Sequence, residues 1–275
     1  MGKKQMTNPK PNITIPVDLT NPGQFFACCG LLELADRLWP GTEGWFTPGA
    51  TFSLFSDVVA CNLSAILKAL ATATIRALDQ DDNASAIRLG LGKASMLLDW
   101  WRDEVAGGQR LKTWAGRQSG PQIFKLMAEN IADITAEDAD KAFDFSATVF
   151  DVKDGKTKKK TISPFYFDAR RSGTGLDVGF SADEQQMSVR EFPVVETLAL
   201  VGIQRFRPRT DESGALRSFV YAAWPEHLPL IPAQGVACGA VQLPSCEYFR
   251  FARPSRGGEY VSMFTRATRE RRSHA

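Results

Sequence analysis

The segment that most constrains the fold is residues 21–39, NPGQFFACCGLLELADRLW, because it predicts a capped and mostly buried helix. Asn21 is a favourable N-cap, Pro22 suits the first helical position, and Gln24 stands where a capping box places a glutamine. The apolar side chains that follow recur at helical spacing: Phe25, Cys28, Cys29, Leu32 and Ala35. A proline and a glycine after Trp39 end the pattern. The chain must therefore build a core that encloses a long helix.

The rest of the chain mixes helical and strand patterns. Helical periodicity or capping signals predict helices at 63–78, 121–131, 135–141 and 189–206. Alternating or β-rich runs predict strands at 13–17, 51–56, 143–149, 161–167, 216–224, 235–242, 247–252 and 260–264, the last two pairing with each other. Residues 87–101 fit either a helix or a hairpin that turns at Gly92. The hairpin is favoured, because each interior glycine of a helix costs about 1 kcal/mol.

These elements together predict an α+β fold. We expect a helix-rich N-terminal part and a C-terminal part rich in antiparallel strands around one central buried helix, residues 189–206, which is apolar on most sides. Residues 12–265 are predicted to form a single domain with a soft division near residue 150, since no linker composition separates the parts. Residues 1–11 are predicted to be a flexible N-terminus, and the basic residues 266–275 a frayed tail.

Composition places the chain among ordinary globular proteins, with 44% apolar and 23% charged residues. Five cysteines without a CxxC motif, and only two histidines, predict neither a disulfide framework nor a metal site, and no cofactor is expected. The cysteines are interpreted as small apolar core residues. No long apolar run and no signal-peptide core follow the N-terminal lysines, so we predict a cytoplasmic protein without a membrane partner.

Catalytic signatures are missing from the sequence. His227 and His274 stand alone, and there is no HD pair, HExxH, GxSxG or Walker lysine, so we predict that the chain is not an enzyme. One enzymatic alternative stays open, a metal-dependent nuclease that uses clustered Asp and Glu residues. The densest acidic group is Asp79, Asp81 and Asp82, which reads as a solvated loop.

Basic residues near aromatic ones are the candidate nucleic-acid ligands, because guanidinium groups bind phosphate bidentately and aromatic rings stack on bases. Residues 151–275 hold 19 Lys or Arg against 14 Asp or Glu, whereas residues 1–150 hold 14 against 17. The candidates form four groups: Arg170 and Arg171; Arg205, Arg207 and Arg209; Lys112, Trp114 and Arg117; and Lys158, Lys159 and Lys160.

Two interpretations of these groups stay open. If residues 205–209 are extended, their alternating arginines project on one side and offer a row of phosphate ligands. Alternatively, Phe165, Phe167 and Phe206 are core residues, and the arginines only lie on the opposite, solvated face. The lysines of residues 158–160 sit in a polar turn and would contact a nucleic-acid backbone by charge alone, without sequence specificity.

Four segments recur in the order of a known family: residues 21–39, then MLLDWWRDE followed by LKTWAGRQSG, then SPFYFDARRSGTGLDVGFS, then VETLALVGIQRFRP. They span residues 21–208 and resemble the landmarks of a small CRISPR-associated protein family of subtype I-G, formerly I-U. The resemblance assigns no binding residues.

The resemblance implies a non-catalytic subunit of a Cascade-type, crRNA-guided DNA surveillance complex in antiviral defence, with a separate helicase-nuclease doing the cutting. Its partners would be crRNA or target DNA and the other subunits. Large-subunit-like recognition of a flanking motif is one role that such a subunit can have. A third hypothesis is a cytoplasmic interaction protein without nucleic-acid contacts, against which strongly salt-dependent binding would count.

Overall fold

The computed structural model describes residues 9–105, 107–114, 118–132, 134, 141–149, 153–154, 157–158, 164–171, 189–211, 218–254 and 262–270. Within these ranges the fold is α+β, as predicted. The described residues form six α-helices: α1 (Pro22–Leu38), α2 (Leu63–Ala71), α3 (Gly108–Leu111), α4 (Gly120–Ile131), α5 (Pro193–Arg205) and α6 (Leu230–Ala237). The N-terminal part contributes the first four of them.

All strand pairs in the described ranges are antiparallel. One sheet has the order β1-β3-β2-β13, formed by β1 (Ile13–Pro16), β2 (Glu43–Thr47), β3 (Thr51–Phe55) and β13 (Leu228–Pro229). A second contains β4 (Thr74–Ala77), β5 (Ile87–Leu91) and β6 (Ala94–Leu98). A third has the order β11-β12-β14-β15, formed by β11 (Arg209–Asp211), β12 (Ser218–Ala223), β14 (Glu247–Ala252) and β15 (Thr268–Arg269). Two-stranded pairs complete the set: β7 (Ala147–Val149) with β10 (Val189–Glu191), and β8 (Lys153–Asp154) with β9 (Thr157–Lys158).

Helix α1 begins as predicted, with Asn21 as N-cap accepting a hydrogen bond from the Gly23 N–H at 3.1 Å. The predicted capping box is wrong, because Gln24 Oε1 instead accepts from the Asp18 N–H at 2.7 Å, outside the helix. Every residue from Pro22 to Ala35 is buried. The helix is thus enclosed on all sides over most of its length, which its apolar sequence predicts.

Helices α1 and α5 pack against each other through two glycines. A Cβ atom added at Gly30 would lie 2.0 Å from the Leu198 carbonyl oxygen, and one added at Gly202 would lie 2.0 Å from the Phe26 carbonyl oxygen. Each glycine therefore meets the carbonyl four residues before the other glycine, so the two helices are related by a local two-fold axis at the crossing. Only glycine lets two backbones approach so closely.

Several predicted elements differ from the structure. The helix predicted at 63–78 ends at Ala71, and β-branched residues carry the following segment into β4. Residues 164–168 are irregular instead of a strand, since Tyr166 adopts a left-handed φ of 66°. The strand predicted at 235–242 is the end of α6 and a turn, because periodicity does not separate short strands from buried helical segments. The hairpin that turns at Gly92 is confirmed, with β5 paired to β6.

The C-terminal end is more ordered than predicted. Strand β14 pairs with β12 and with β15, not with residues 262–264 of the strand predicted at 260–264, and residues 260–261 lie outside the described residues. The Ala267 N–H donates to the Thr20 carbonyl at 2.7 Å, and Arg266 Nη1 bonds Asp18 Oδ2 at 2.6 Å. The prediction of a frayed tail is therefore wrong for residues 266–270. Residues 1–8, residues 135–140 of the helix predicted at 135–141, and residues 271–275 lie outside the described residues.

The buried side chains form one cluster that draws on both ends of the chain. Phe25 of α1 stacks on Tyr221 of β12 with ring centroids 4.2 Å apart. Trp100 and Trp114 meet edge to face at 5.9 Å, near Phe167. All five cysteines are free thiols. Burial raises the pKa of the Cys28 and Cys29 thiols well above the ordinary value, which fits their interpretation as packing residues.

Candidate nucleic-acid interface

The segment that leaves α5 carries the predicted row of arginines. Helix α5 ends at Arg205, residues 206–208 are irregular, and β11 begins at Arg209. Phe206 and Pro208 are buried, whereas Arg205 and Arg207 are partly exposed and Arg209 is exposed. The burial alternates as an extended segment requires, so the three arginines lie on the outward side together.

Arg205 is bound to a fully buried carboxylate. Its Nε lies 2.8 Å from Glu33 Oε2, and Arg37 Nη2 lies 2.6 Å from Glu33 Oε1. Two cations thus balance one carboxylate whose side chain has no exposed surface, and this offsets the cost of burying it. The Arg205 side chain is 38% exposed, so the part of its guanidinium that does not contact Glu33 faces solvent.

Arg207 and Arg209 differ in how they are held. Arg207 Nη1 lies 2.7 Å from Asp103 Oδ2, in the turn before α3, and its side chain is 22% exposed. Arg209 is exposed, and it makes no ion pair within the part of the chain that the structure describes. Among the predicted arginines whose side chains are described, Arg209 is therefore the one with its guanidinium most available to a phosphate.

Arg209 lines an open cleft of about 540 Å³. Its other lining residues come from the turn and helix before residue 111 and from β11: Val105, Gly107, Arg110, Thr210 and Asp211. Asp211 is hydrogen-bonded to Arg250 Nη1, and this bond raises the pKa of Arg250. The cleft is therefore lined by two arginines, Arg110 and Arg209, and by a carboxylate that is already ion-paired with Arg250, which also pairs with Glu270.

Arg170 serves a buried polar cluster at the N-terminal ends of α1 and α5. Its Nη2 bonds Asp168 Oδ2 at 2.6 Å and the Phe143 carbonyl at 2.7 Å, and its Nη1 bonds Asp144 at 2.9 Å. The guanidinium carbon also lies 3.3 Å from the centroid of the Phe192 ring. Most of its N–H groups are thus engaged within the protein, which leaves little of the group for phosphate.

The same cluster joins the two helix starts. Asn21 Nδ2 donates to Asp168 Oδ1 at 2.8 Å, and Asn21 Oδ1 accepts from the Ala169 N–H at 2.9 Å. Glu196 Oε1 accepts from the N–H groups of Phe167 and Asp168 at 3.1 and 3.0 Å. Since Glu33 and Arg205 join the opposite ends, α1 and α5 run in the same direction.

The prediction that Trp114 stacks on bases is wrong. Its side chain is buried and packs edge to face on Trp101 and Phe165, so neither ring face is open to a base. Lys112 lies with its Nζ 5.3 Å from the Trp114 ring centroid. Burial lowers the pKa of Lys112, with Asp82 acting in the opposite direction.

The other predicted ligands are not placed by the structure. Arg117, Lys159 and Lys160 lie outside the described residues, and Arg171 and Lys158 are described only by their main chains, in a 3₁₀ turn and in β9. Sequence reasoning missed Arg110 and Arg37. The spacing of Glu33 and Arg37 on one helix face is a usable signal for Arg37, whereas the nearness of Arg110 to β11 depends on the tertiary fold.

The acidic run lies in an exposed loop. Asp79 Oδ1 accepts from the Asp81 N–H at 3.0 Å, and Asp82 Oδ1 accepts from the Ala84 N–H at 2.7 Å, so these carboxylates stabilise the loop itself. Within the described ranges, no group of three His, Cys, Asp or Glu side chains is arranged to hold a metal ion. Nor does any helix among those residues have the length and apolarity needed to cross a bilayer.

Comparison of the chain with protein-family models, with characterised proteins and with solved structures gave no match.

Proposed function

We propose that the chain is a non-catalytic subunit of a subtype I-G, Cascade-type CRISPR complex that uses a crRNA guide to survey DNA. It acts in the cytoplasm in antiviral defence and contacts crRNA or target DNA through the arginine edge, which we define as Arg110, Arg205, Arg207 and Arg209. Other subunits of the complex are its protein partners.

The observation that carries the nucleic-acid assignment is the outward row of arginines that ends at the cleft. The guanidinium groups of Arg205 and Arg207 are held by ion pairs with Glu33 and Asp103, and part of each side chain stays exposed. Arg209 and Arg110 then line the open cleft, whose lining carboxylate, Asp211, is bonded to Arg250. Positioned guanidinium groups on a rigid helix end suit binding of a phosphate backbone, which orients a nucleic acid but reads no sequence.

The four segments on which the family resemblance depends lie close together in the fold. Residues 21–38 form α1, which packs on α5, the helix of the fourth segment. Trp100 of the second segment donates from Nε1 to the Leu200 carbonyl at 3.0 Å, and Phe167 of the third bonds Glu196. Segments far apart in the sequence thus pack around one helix pair, as the landmarks of a single structural unit would.

The test is co-expression of the tagged chain with the other proteins and the crRNA of its own gene neighbourhood. We expect the chain to co-purify with the complex. Arg110→Glu/Arg209→Glu should weaken binding of crRNA or target DNA about a hundredfold or more, because each of the two lost charge-assisted hydrogen bonds removes about 1.5–3 kcal/mol. The matched control is Lys68→Glu/Lys125→Glu, which makes the same change in charge at exposed positions of α2 and α4.

The role of the chain in the complex is decided by which nucleic acid the double variant no longer binds. Loss of duplex DNA with retained crRNA supports flanking-motif recognition, whereas loss of crRNA supports a role in holding the guide. A chain that never associates with the complex, or a double variant that binds as well as its control, would contradict the proposal. The nuclease alternative stays a prediction, to be examined by incubating the protein with magnesium or manganese and labelled RNA or DNA.

A further inference from the structure

The sheet formed by β4, β5 and β6 has one buried face and one solvent face. The buried face packs on the core through alternating apolar residues: Ile87, Leu89, Leu91, Met96 and Leu98. The outer face carries the residues between them and belongs to none of the groups considered above. Its strands are short and regular, so the side chains on this face form cross-strand rows.

One of these rows places two arginines side by side. Arg76 of β4 is the direct partner of Arg88 of β5, which in turn is the partner of Leu97 of β6. Both arginines are exposed, and neither makes an ion pair within the described ranges. Like charges that face each other directly across two strands destabilise a sheet. The repulsion between the two arginines therefore destabilises the fold, and an anion bound between their guanidinium groups would remove this repulsion.

The next cross-strand row consists of small residues, two of which are polar. Thr74, Gly90 and Ser95 are partners on the same face, and the exposed Lys93 follows at the hairpin turn. A Cβ added at Gly90 would lie 2.3 Å from Thr74 Oγ1, so glycine keeps this row flat. A flat, hydroxyl-bearing row beside two arginines lets an extended strand of nucleic acid lie close to the sheet.

The free edge of β6 is connected to the arginine edge by hydrogen bonds and ion pairs. Arg37 Nη1 donates to the Ser95 carbonyl at 3.0 Å on the free side of β6, and Arg37 shares Glu33 with Arg205. At the end of the same strand, Gln204 Oε1 accepts from the Asp99 N–H at 2.9 Å. Arg205, the first residue of the arginine edge, is thus linked to β6 through Glu33 and Arg37.

We propose that the outer face of β4–β6 binds a single strand of nucleic acid, with Arg76 and Arg88 clamping one phosphodiester group. The inference rests on the proposed function, because it extends the path of the same polyanion beyond the arginine edge. The Cβ atoms of directly opposed residues lie about 5 Å apart, so each guanidinium can donate to one of the two non-bridging oxygens of one phosphate. Leu97, which is 37% exposed, lies beside the pair as an apolar contact for a sugar or base.

The test measures binding of fluorescent single-stranded RNA and DNA of equal sequence to the purified full-length chain at several salt concentrations. The variants are Arg76→Gln, Arg88→Gln and the double variant, with Lys68→Gln/Lys125→Gln as the matched control. Each single change should weaken binding about tenfold, and the double change little more, since both groups act on one phosphate. The slope of log K against log salt should fall by about 0.7 in the double variant.

The thermal midpoint supplies a second readout. Arg88→Gln should raise it in the absence of nucleic acid, because the substitution removes the opposed charges; a fall would contradict the stated cost of the pair. If the losses of binding free energy in the two single variants add up in the double variant, and its slope of log K against log salt falls by about 1.4, the two arginines bind separate phosphates and the inference of a shared phosphate is wrong.

Two further outcomes separate this inference from the proposed function. If Arg110→Gln/Arg209→Gln weakens binding while the sheet variants bind like the control, the inference fails and the proposed function stands. If the unaltered chain binds neither RNA nor DNA, alone or in the complex, both fail. Loss of subunit association without any change in RNA or DNA affinity would make the face a protein interface and would also overturn the inference.

Discussion

The arginines of the chain differ in how much of each guanidinium is already bonded within the protein. Arg170 has most of its N–H groups on Asp168, Asp144 and a carbonyl, and so acts as an internal tie. Arg205 shares a buried carboxylate and keeps part of its surface in solvent. Arg209 is exposed at the cleft. Arg170 was predicted as a nucleic-acid ligand because it lies near aromatic residues in the sequence. Such proximity is therefore as typical of an arginine that is bonded within the protein as of one that binds nucleic acid.

Asp18 connects the start of α1 to the end of the chain and gives the fold a pH dependence. Burial acts to raise the pKa of Asp18, but hydrogen bonds from Thr20 and Arg266 outweigh it and hold the pKa below its ordinary value. A carboxyl with a lowered folded-state pKa stabilises the protein at pH values above its ordinary pKa. That stability is lost as the pH falls through the lowered value.

Asp18→Asn should therefore lower the free energy of unfolding by about 0.5–1 kcal/mol at pH 7, because both partners of the ion pair are partly exposed. The difference between variant and unaltered chain should shrink as the pH falls below about 4. Urea unfolding at pH 7, 5 and 3 measures it, with the exposed Asp57→Asn as control. A difference that stays constant across this range would show that the charge of Asp18 contributes nothing.

At the scale of elements, the crossing of α1 and α5 determines the architecture. We expect Gly30→Ala or Gly202→Ala to destabilise the protein by about 3 kcal/mol, since the added methyl would overlap a carbonyl of the facing helix and force the helices apart. Helix propensity acts in the opposite direction, favouring alanine by about 1 kcal/mol. A measured loss of stability thus reports the packing alone.

Gly120→Ala in α4 is the matched control for this prediction. There an added Cβ would meet its nearest neighbour, a carbon of Trp114, at an ordinary 3.6 Å, so the change should be close to neutral. Chemical unfolding of the three variants gives the comparison. Equal stability for Gly30→Ala and Gly120→Ala would mean that the two helices have room to separate at no cost.

The elements that the sequence predicts well are those with local signals. The N-cap of α1, the apolar periodicity of α4 and the glycine turn of the β5–β6 hairpin each depend on a few neighbouring residues. The strands predicted from short apolar runs were wrong. The conformation of the C-terminal end of α6 is decided by tertiary contacts, and residues 164–168 are irregular because one of them, Tyr166, is left-handed.

The candidate site follows the same division between local and tertiary signals. The alternation of Arg205, Arg207 and Arg209 is local and was predictable. Arg110 reaches the same cleft only because the fold brings α3 close to β11. The opposed pair Arg76 and Arg88 needed the register of two strands, since one of them lay within a segment predicted as a helix.

At the scale of the whole molecule, the two ends of the chain are interleaved. Strand β13 pairs with β2, Trp224 Nε1 donates to the Gly44 carbonyl at 2.7 Å, and the Ala267 N–H donates to Thr20. The central helix α5 packs on α1, which lies at the other end of the sequence. These contacts cross residue 150, and the buried side chains of the two parts belong to one cluster.

We therefore expect the chain to unfold as one unit, although residues 12–265 have a soft division near residue 150 in sequence. Residues 1–150 expressed alone would expose the apolar surface of α1 that α5 covers, and should be aggregated or unfolded. In the whole chain, tryptophan fluorescence and far-ultraviolet circular dichroism should report one coincident thermal transition. Fluorescence samples both parts, since Trp100 and Trp114 lie before residue 150 and Trp224 after it. Two separate transitions, or a soluble fragment 1–150 with native-like protection of α1, would show instead that the parts are independent domains.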